Sequence, residues 1–369
     1  MKLLRLCAHQ IRLNEKLPWN VRSEPGTLLL GKGFLVTSQA QINTLLDRGV
    51  YVDQEEYKEH QRTVQVTQRV DPFHLWSLIF KRTAILLHDP LSNPNFLADL
   101  ASLSDMFQKT LRMDVDAGTF AMVHADTHNY AVEHSVQTAF VCTLVAQRFG
   151  WSEADRSTLL SAALTMNIAI LDLQNVLQRQ SEPLTPQQRL DIDNHPIQGR
   201  ALLEQSGITN EDWLRTVEDH HIALDSTIMG KRHSPVSQVA CIIHHADIYL
   251  AKISARTSRP AFAVNVAARD MFMEGGSDNP FTAGIIKEVG IYPPGTFVKL
   301  ANGDTAIVVR RGDTASTPKV NSLVGADGWV FPDSLPRDTS KPEYKIVAPV
   351  PRSDVMLSLS PLKLFGYTD

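Results

Sequence analysis

Between residues 120 and 262, apolar positions recur at three- and four-residue spacing, the period of amphipathic helices. In NYAVEHSVQTAFVCTLVAQRFG they fall at Val136, Phe140, Val141, Leu144, Val145 and Phe149, with Gly150 as a stop. A second helix is predicted over 152–170; it opens on Ser152-Glu-Ala-Asp, which has capping-box form. A third starts at Thr185-Pro186, a cap followed by proline at the first helical position. A fourth is expected from Asp212 to His221 and a fifth from Pro235 to about Ser254. Upstream, FHLWSLIFKRTAILLHDP and NFLADLASLSDMFQKTLRMDVD read as two more helices, the first closed by Pro90. Their apolar stripe fits core packing, with a homodimer face as the alternative. Residues 262–290 hold a closing pair around a Gly-Gly-Ser turn.

Beyond residue 290 the period changes to alternation. GTFVKLANGDTAIVVRRG reads as two strands joined by Asn302-Gly303, a strong hairpin signal. KVNSLVGADGWVFPD and PEYKIVAPV add strands. At the other end, two short apolar runs flank Glu24-Pro25-Gly26, a helix follows Thr37-Ser38 and stops at Gly49, and VYVD closes the segment. The pattern therefore predicts a mainly α chain in four parts. These are a small α/β unit (1–55), a linker and helical hairpin (56–119), a helical domain (120–290) and a β-hairpin-rich appendage (291–369).

Composition narrows the function classes. The hydrophobic fraction is 43%, the charged fraction 21% and the net charge −4, as in an ordinary soluble globular chain. No basic excess points to nucleic acid. No stretch approaches eighteen uncharged apolar residues, so no membrane span is expected, and no long signal core is present at the start. Cys7, Cys142 and Cys241 are far apart, without a C-x-x-C; they read as reduced core thiols of a cytoplasmic protein.

The candidate chemistry is a spaced set of ligand-type side chains: His134, His195, the pair His220–His221, and Asp247. Each falls on a predicted helix, most near its end, and helical bundles build metal sites from facing helices in this way. Imidazole with carboxylate suits iron, manganese or zinc. Against this, thirteen histidines in 369 residues is a modest number. A lone histidine more often fills a core or a surface, and His124, His128, His244 and His245 are read so.

At these residues the chain resembles the HD-GYP domain, a bacterial branch of the HD phosphohydrolases. YAVEHSVQTA is similar to Y-x-x-x-H-S-x-x-x-A, and SAALTMNIAI stands where that family has A-A-L-L-H-D-I-G-K. PLTPQQRLDIDNHPIQGRALLE, DHHIALDSTIMG and HHADIYLAKISARTSR follow in family order over about 130 residues. The resemblance implies an HD-type helical bundle, a two- or three-metal centre and action on the second messenger cyclic di-GMP. It assigns His134, His195, His220, His221 and Asp247 as metal ligands. Arg256 and Arg259 fall near the arginines that hold ligand phosphate.

The departures bear on activity. Met166-Asn167 replaces the His-Asp pair, Ile170 the following lysine, Ile222 a glutamate, and Ile228-Met229-Gly230 the Gly-Tyr-Pro signature. A carboxylate bridges two metals with its charge and two oxygens, whereas an amide has one acceptor oxygen and no charge. A thioether is a poor ligand for hard divalent ions. The expectation is one metal or none (Fe, Mn or Zn), not a full dinuclear centre. The module would bind cyclic di-GMP or a protein partner of bacterial signalling with little or no hydrolysis. A divergent metal-dependent phosphodiesterase and a scaffold with an empty pocket are the alternatives.

Overall fold

The computed structural model describes residues 2–5, 16–47, 50–58, 71–126, 128–222, 238–259, 261–275 and 279–367. Cys7, Gly49, Ile228-Met229-Gly230, Pro235, Pro260, most of the 56–70 linker and the Gly-Ser of the 275–277 turn lie outside these residues. The chain divides into two compact units, Met1–Asp71 and Pro72–Asp369.

The first unit is a small antiparallel sheet in the order β1-β4-β2-β3, with one helix. Its strands are β1 (Leu3–Arg5), β2 (Val21–Arg22), β3 (Leu28–Leu30) and β4 (Tyr51–Asp53), and its helix is α1 (Gln39–Asp47). Pro25-Gly26 turns β2 into β3: Gly26 sits at φ 92 and its N–H donates to Ser23 O at 2.9 Å. Leu17, Trp19, Val21, Val36, Ile42, Leu45, Val50 and Val52 form a core of their own.

In the second unit, α2 (Pro72–His88) and α3 (Phe96–Met113) form a hairpin, and α4 (Val115–Val123) follows. The helix α5 (Tyr130–Arg148) is the centre of the unit. It is buried nearly all round, as its mostly apolar lower two-thirds demands. Around it lie α6 (Glu153–Thr165), α7 (Leu171–Arg179), α8 (Pro186–Gln205), α9 (Glu211–Asp219), α10 (Gln238–Ile253), α11 (Val264–Gly275) and α12 (Pro280–Val289). The starts follow from local chemistry. Asn129, Ser152 and Asn210 each accept a backbone N–H from the first turn. Thr185 and Gln188 form a complete capping box. The hairpin α2–α3 shares one core with the bundle, through Trp76, Phe96, Phe107 and Phe140 among others. Gly118 lets α4 approach α5: a Cβ there would stand 2.8 Å from the Phe140 ring. No helix among the described residues is long and apolar enough to cross a membrane.

One element ends earlier than its apolar pattern predicts. The helix from Ser152 stops at Thr165 rather than near residue 170. Thr165 Oγ1 bonds back to Ser161 O at 2.8 Å and accepts the Trp213 Nε1–H at 2.9 Å. The chain then turns twice, Ile168 N–H to Thr165 O and Ile170 N–H to Asn167 O, before α7 begins. Apolar residues continue through 166–170 because the turns themselves are buried.

The C-terminal part is a five-stranded antiparallel sheet in the order β8-β7-β6-β5-β9, with the β5–β6 hairpin at Asn302-Gly303 as the sequence predicts. The strands are β5 (Phe297–Leu300), β6 (Thr305–Arg310), β7 (Lys319–Val324), β8 (Val330–Asp338) and β9 (Ile346–Val350). Prolines 332, 336 and 349 lie on the two edge strands, which blunts further pairing. The sheet is tied to the bundle by charge. Asp114, the cap of α4, accepts from Arg310 at 2.5 Å and from Tyr367 Oη at 2.8 Å. Arg311 donates to Asp116 at 2.7 Å.

His124 is the second tie. Its Nε2–H donates to Gly295 O at 2.9 Å, so its Nδ1 is the acceptor for Arg352 at 2.7 Å. The ring stacks on Phe120 at 4.4 Å. Burial, and then the Arg352 charge, lower its pKa from 6.5 to about 4. The unfolded chain therefore binds the extra proton first. This stabilisation is complete above pH 6.5 and is lost as pH falls toward 4, by up to about 3 kcal/mol at 1.36 kcal/mol per unit. Urea melts at pH 7 and pH 5 check it. His124→Gln is expected to be less stable at pH 7 but to lose less on acidification than the parent. Equal losses in both proteins would mean that His124 does not titrate on unfolding.

Candidate metal centre

His195 lies two turns into α8, immediately before Pro196. A proline has no N–H, so the carbonyl four residues back loses its helical partner. That carbonyl belongs to Ile192, and the His195 Nδ1–H takes it at 2.5 Å. His220 reaches the same geometry by another route. It caps the C-terminus of α9, where the last carbonyls have no helical partner. Its Nδ1–H donates to Val217 O at 2.6 Å. Two orphan carbonyls, one made by a proline and one by a helix end, thus fix two imidazoles in one tautomer.

Both Nε2 atoms are then lone-pair acceptors, and they face each other at 3.2 Å. His195 is 1% exposed and His220 0%. Burial lowers the pKa of His195 to about 4 and, with the charges of His221 and His195, that of His220 to about 3. At neutral pH no proton sits between the two lone pairs. His221 joins them, its ring 4.1 Å from His220 and 4.9 Å from His195 by centroid. The ligand atoms of the three lie within 4.8 Å of one another. His221 keeps an edge open to solvent. Desolvation by the protein around the ring still lowers its pKa, with Asp247 pulling the other way.

The donor set fits a divalent metal. Neutral imidazoles with outward-facing Nε2 and carbonyl-bonded Nδ1–H are the arrangement that metal-binding histidines adopt. A 3.2 Å gap between two nitrogens is one that two bonds of about 2.0–2.1 Å can close.

His134 and Asp247 face each other from α5 and α10. The Asp247 carboxylate accepts the His134 Nε2–H at 2.6 Å, and His134 Nδ1 is buried without a partner. Burial works against the Asp247 charge. The hydrogen bond and charge of His134, followed by His221 and His220, outweigh it and hold the carboxyl well below the usual range. Tyr130, one turn before His134, stacks on its ring at 5.5 Å. All five residues singled out from spacing therefore share one electrostatic neighbourhood. Three of them close into a ligand group, and two pair with each other beside it.

Met166 and Asn167 are 0% and 2% exposed. A Cβ on Gly199, one turn after His195, would stand 3.7 Å from the Met166 carbonyl and 3.3 Å from Val217. The turn at 166–170 thus packs against Gly199, one helical turn from His195. Ile170, also buried, closes that turn.

The two arginines separate. Burial raises the pKa of Tyr130, the Arg256 charge opposes that rise by favouring ionisation, and Tyr130 in turn stacks on His134. Arg259 donates to Ala251 O at 2.7 Å and Lys252 O at 3.2 Å, capping the end of α10, and lies over Phe262. His244, read from sequence as ordinary, donates its Nδ1–H to His220 O at 3.0 Å. Its spacing from Asp247, three residues along one helix face, was the signal available. His124 and His128 do not share a helix face, because α4 ends at Val123 and His128 sits at φ 58.

No protein-family model matches the chain, and no curated protein matches it. Among solved structures, Bd1817, a HDG"Y"P protein from Bdellovibrio bacteriovorus, aligns with 77% of this chain and 98% of its own. The TM-score is 0.48 and the identity 15%.

Proposed function

We propose that this chain is a one-metal signalling module of HD-GYP type that binds cyclic di-GMP with little or no hydrolysis. The observation that supports it best is the pair of facing Nε2 lone pairs on His195 and His220, together with a buried turn that offers Asn167 and no carboxylate. His195, His220 and His221 would hold the ion. When bound, it supplies Lewis acidity, activating water and polarising phosphoryl oxygen. The rest is done by the chain: His134 and Asp247 keep each other in place, and Arg256 offers a cation for phosphate. With one metal site, no carboxylate bridge and no lysine at position 170, turnover is expected to be minimal.

Calorimetry of the metal-loaded protein with cyclic di-GMP tests the reading. Saturable binding is expected, weakened about tenfold by Arg256→Ala, with no product in manganese or iron buffer. Absence of binding would leave a scaffold. A second reading, a divergent phosphohydrolase, draws on the open edge of His221, which gives substrate a way in. Hydrolysis abolished by His221→Ala would establish that reading instead.

A further inference from the structure

A cavity of about 620 Å³ lies between α4, α5, α7 and α10, and none of the five clustered residues lines it. That volume is in the range of small-molecule sites. Its apolar wall includes Met122, Phe140, Leu250 and Ile253. Two guanidinium groups, Arg179 and Arg352, also line it. Each makes one hydrogen bond within the described residues, Arg179 to His128 O and Arg352 to His124. Most of each fork is left to donate. The acids nearby are already engaged: Asp126 pairs with His128 at 3.1 Å, and Glu133 has a partner.

Tyr249 supplies the independent observation. It is 1% exposed and lines the same cavity. Among the described residues no hydrogen bond reaches its hydroxyl, and burial raises its pKa. A buried hydroxyl left bare is costly, and an occupant of the cavity that Tyr249 lines offers it a partner.

We infer that this cavity is a binding site for a small organic anion with an apolar body, held by Arg179 and Arg352 and by the Tyr249 hydroxyl. The three ligand histidines do not line the site, whereas Tyr130 lines it and stacks on His134. Its occupant would lie against α5 and α10, the two helices that carry His134 and Asp247.

The test uses the full chain and two fluorescent probes: 1-anilinonaphthalene-8-sulfonate and its uncharged relative N-phenyl-1-naphthylamine. The sulfonate is expected to bind saturably at one equivalent. Arg179→Gln with Arg352→Gln should weaken it at least tenfold and leave the uncharged probe within about twofold. Val264→Trp, which fills the cavity, should abolish binding of both. Zinc content of the arginine variant should be unchanged, which separates this site from the metal centre. Absence of saturable sulfonate binding, or equal weakening of both probes by the arginine changes, would overturn the inference. So would binding that survives in a folded Val264→Trp protein. Should the tryptophan variant not fold, the arginine pair alone decides.

Discussion

Replacing Pro196 with alanine is expected to weaken divalent-metal binding by about 10–100-fold while leaving the fold as stable as before, or more stable. The alanine N–H would take back the Ile192 carbonyl, which His195 now uses to set its ring. Loss of the hydrogen bond behind a metal-binding histidine typically costs that much affinity. Meanwhile a helix-interior proline, which can cost about 3 kcal/mol, is gone. The opposite signs make the test discriminating. Zinc affinity by competition with a chromophoric chelator and stability by thermal melting of the metal-free protein are the two readouts. If affinity is unchanged, the proline does not position the imidazole.

The second large effect concerns the turn after α6. The double change Met166→His with Asn167→Asp is expected to raise bound metal from one to two per chain, read by elemental analysis after dialysis against manganese. An aspartate there adds charge and a second oxygen where Asn167 has one acceptor oxygen and no charge. Burying that charge without metal destabilises the protein. The variant should therefore melt lower than the parent when stripped, and recover on loading. A count that stays at one would mean that residue 167 does not face the imidazoles.

The helices that bear the histidines were legible because an amphipathic period and a capping residue are local properties. Thr185 with Gln188, Ser152 with Asp155, and the Asn302-Gly303 hairpin all formed where the pattern put them. The end of α6 was not legible. The apolar run goes on past Thr165, and the break comes from contact with Trp213, 48 residues away. The division of the ligand-type residues was hidden for the same reason. Spacing sets His134 and Asp247 beside the others, but the 2.6 Å contact between them depends on how α5 meets α10. Arg259, which the resemblance sets near ligand phosphate, also donates to the bare end of α10, a contact that no local pattern shows. His244 looked ordinary because its partner is a backbone carbonyl on another helix. The clasp of His124 to Gly295 and Arg352 spans 171 and 228 residues, a separation beyond any local pattern.

The claim on which this account stands is that three imidazoles hold a single divalent ion. Zinc titrated into the stripped full-length chain, followed by X-ray absorption at the zinc edge, measures it most directly. The account predicts one equivalent with three imidazole nitrogens at about 2.0–2.1 Å, lost in His220→Ala. No binding, or binding that His220→Ala leaves intact, would contradict it.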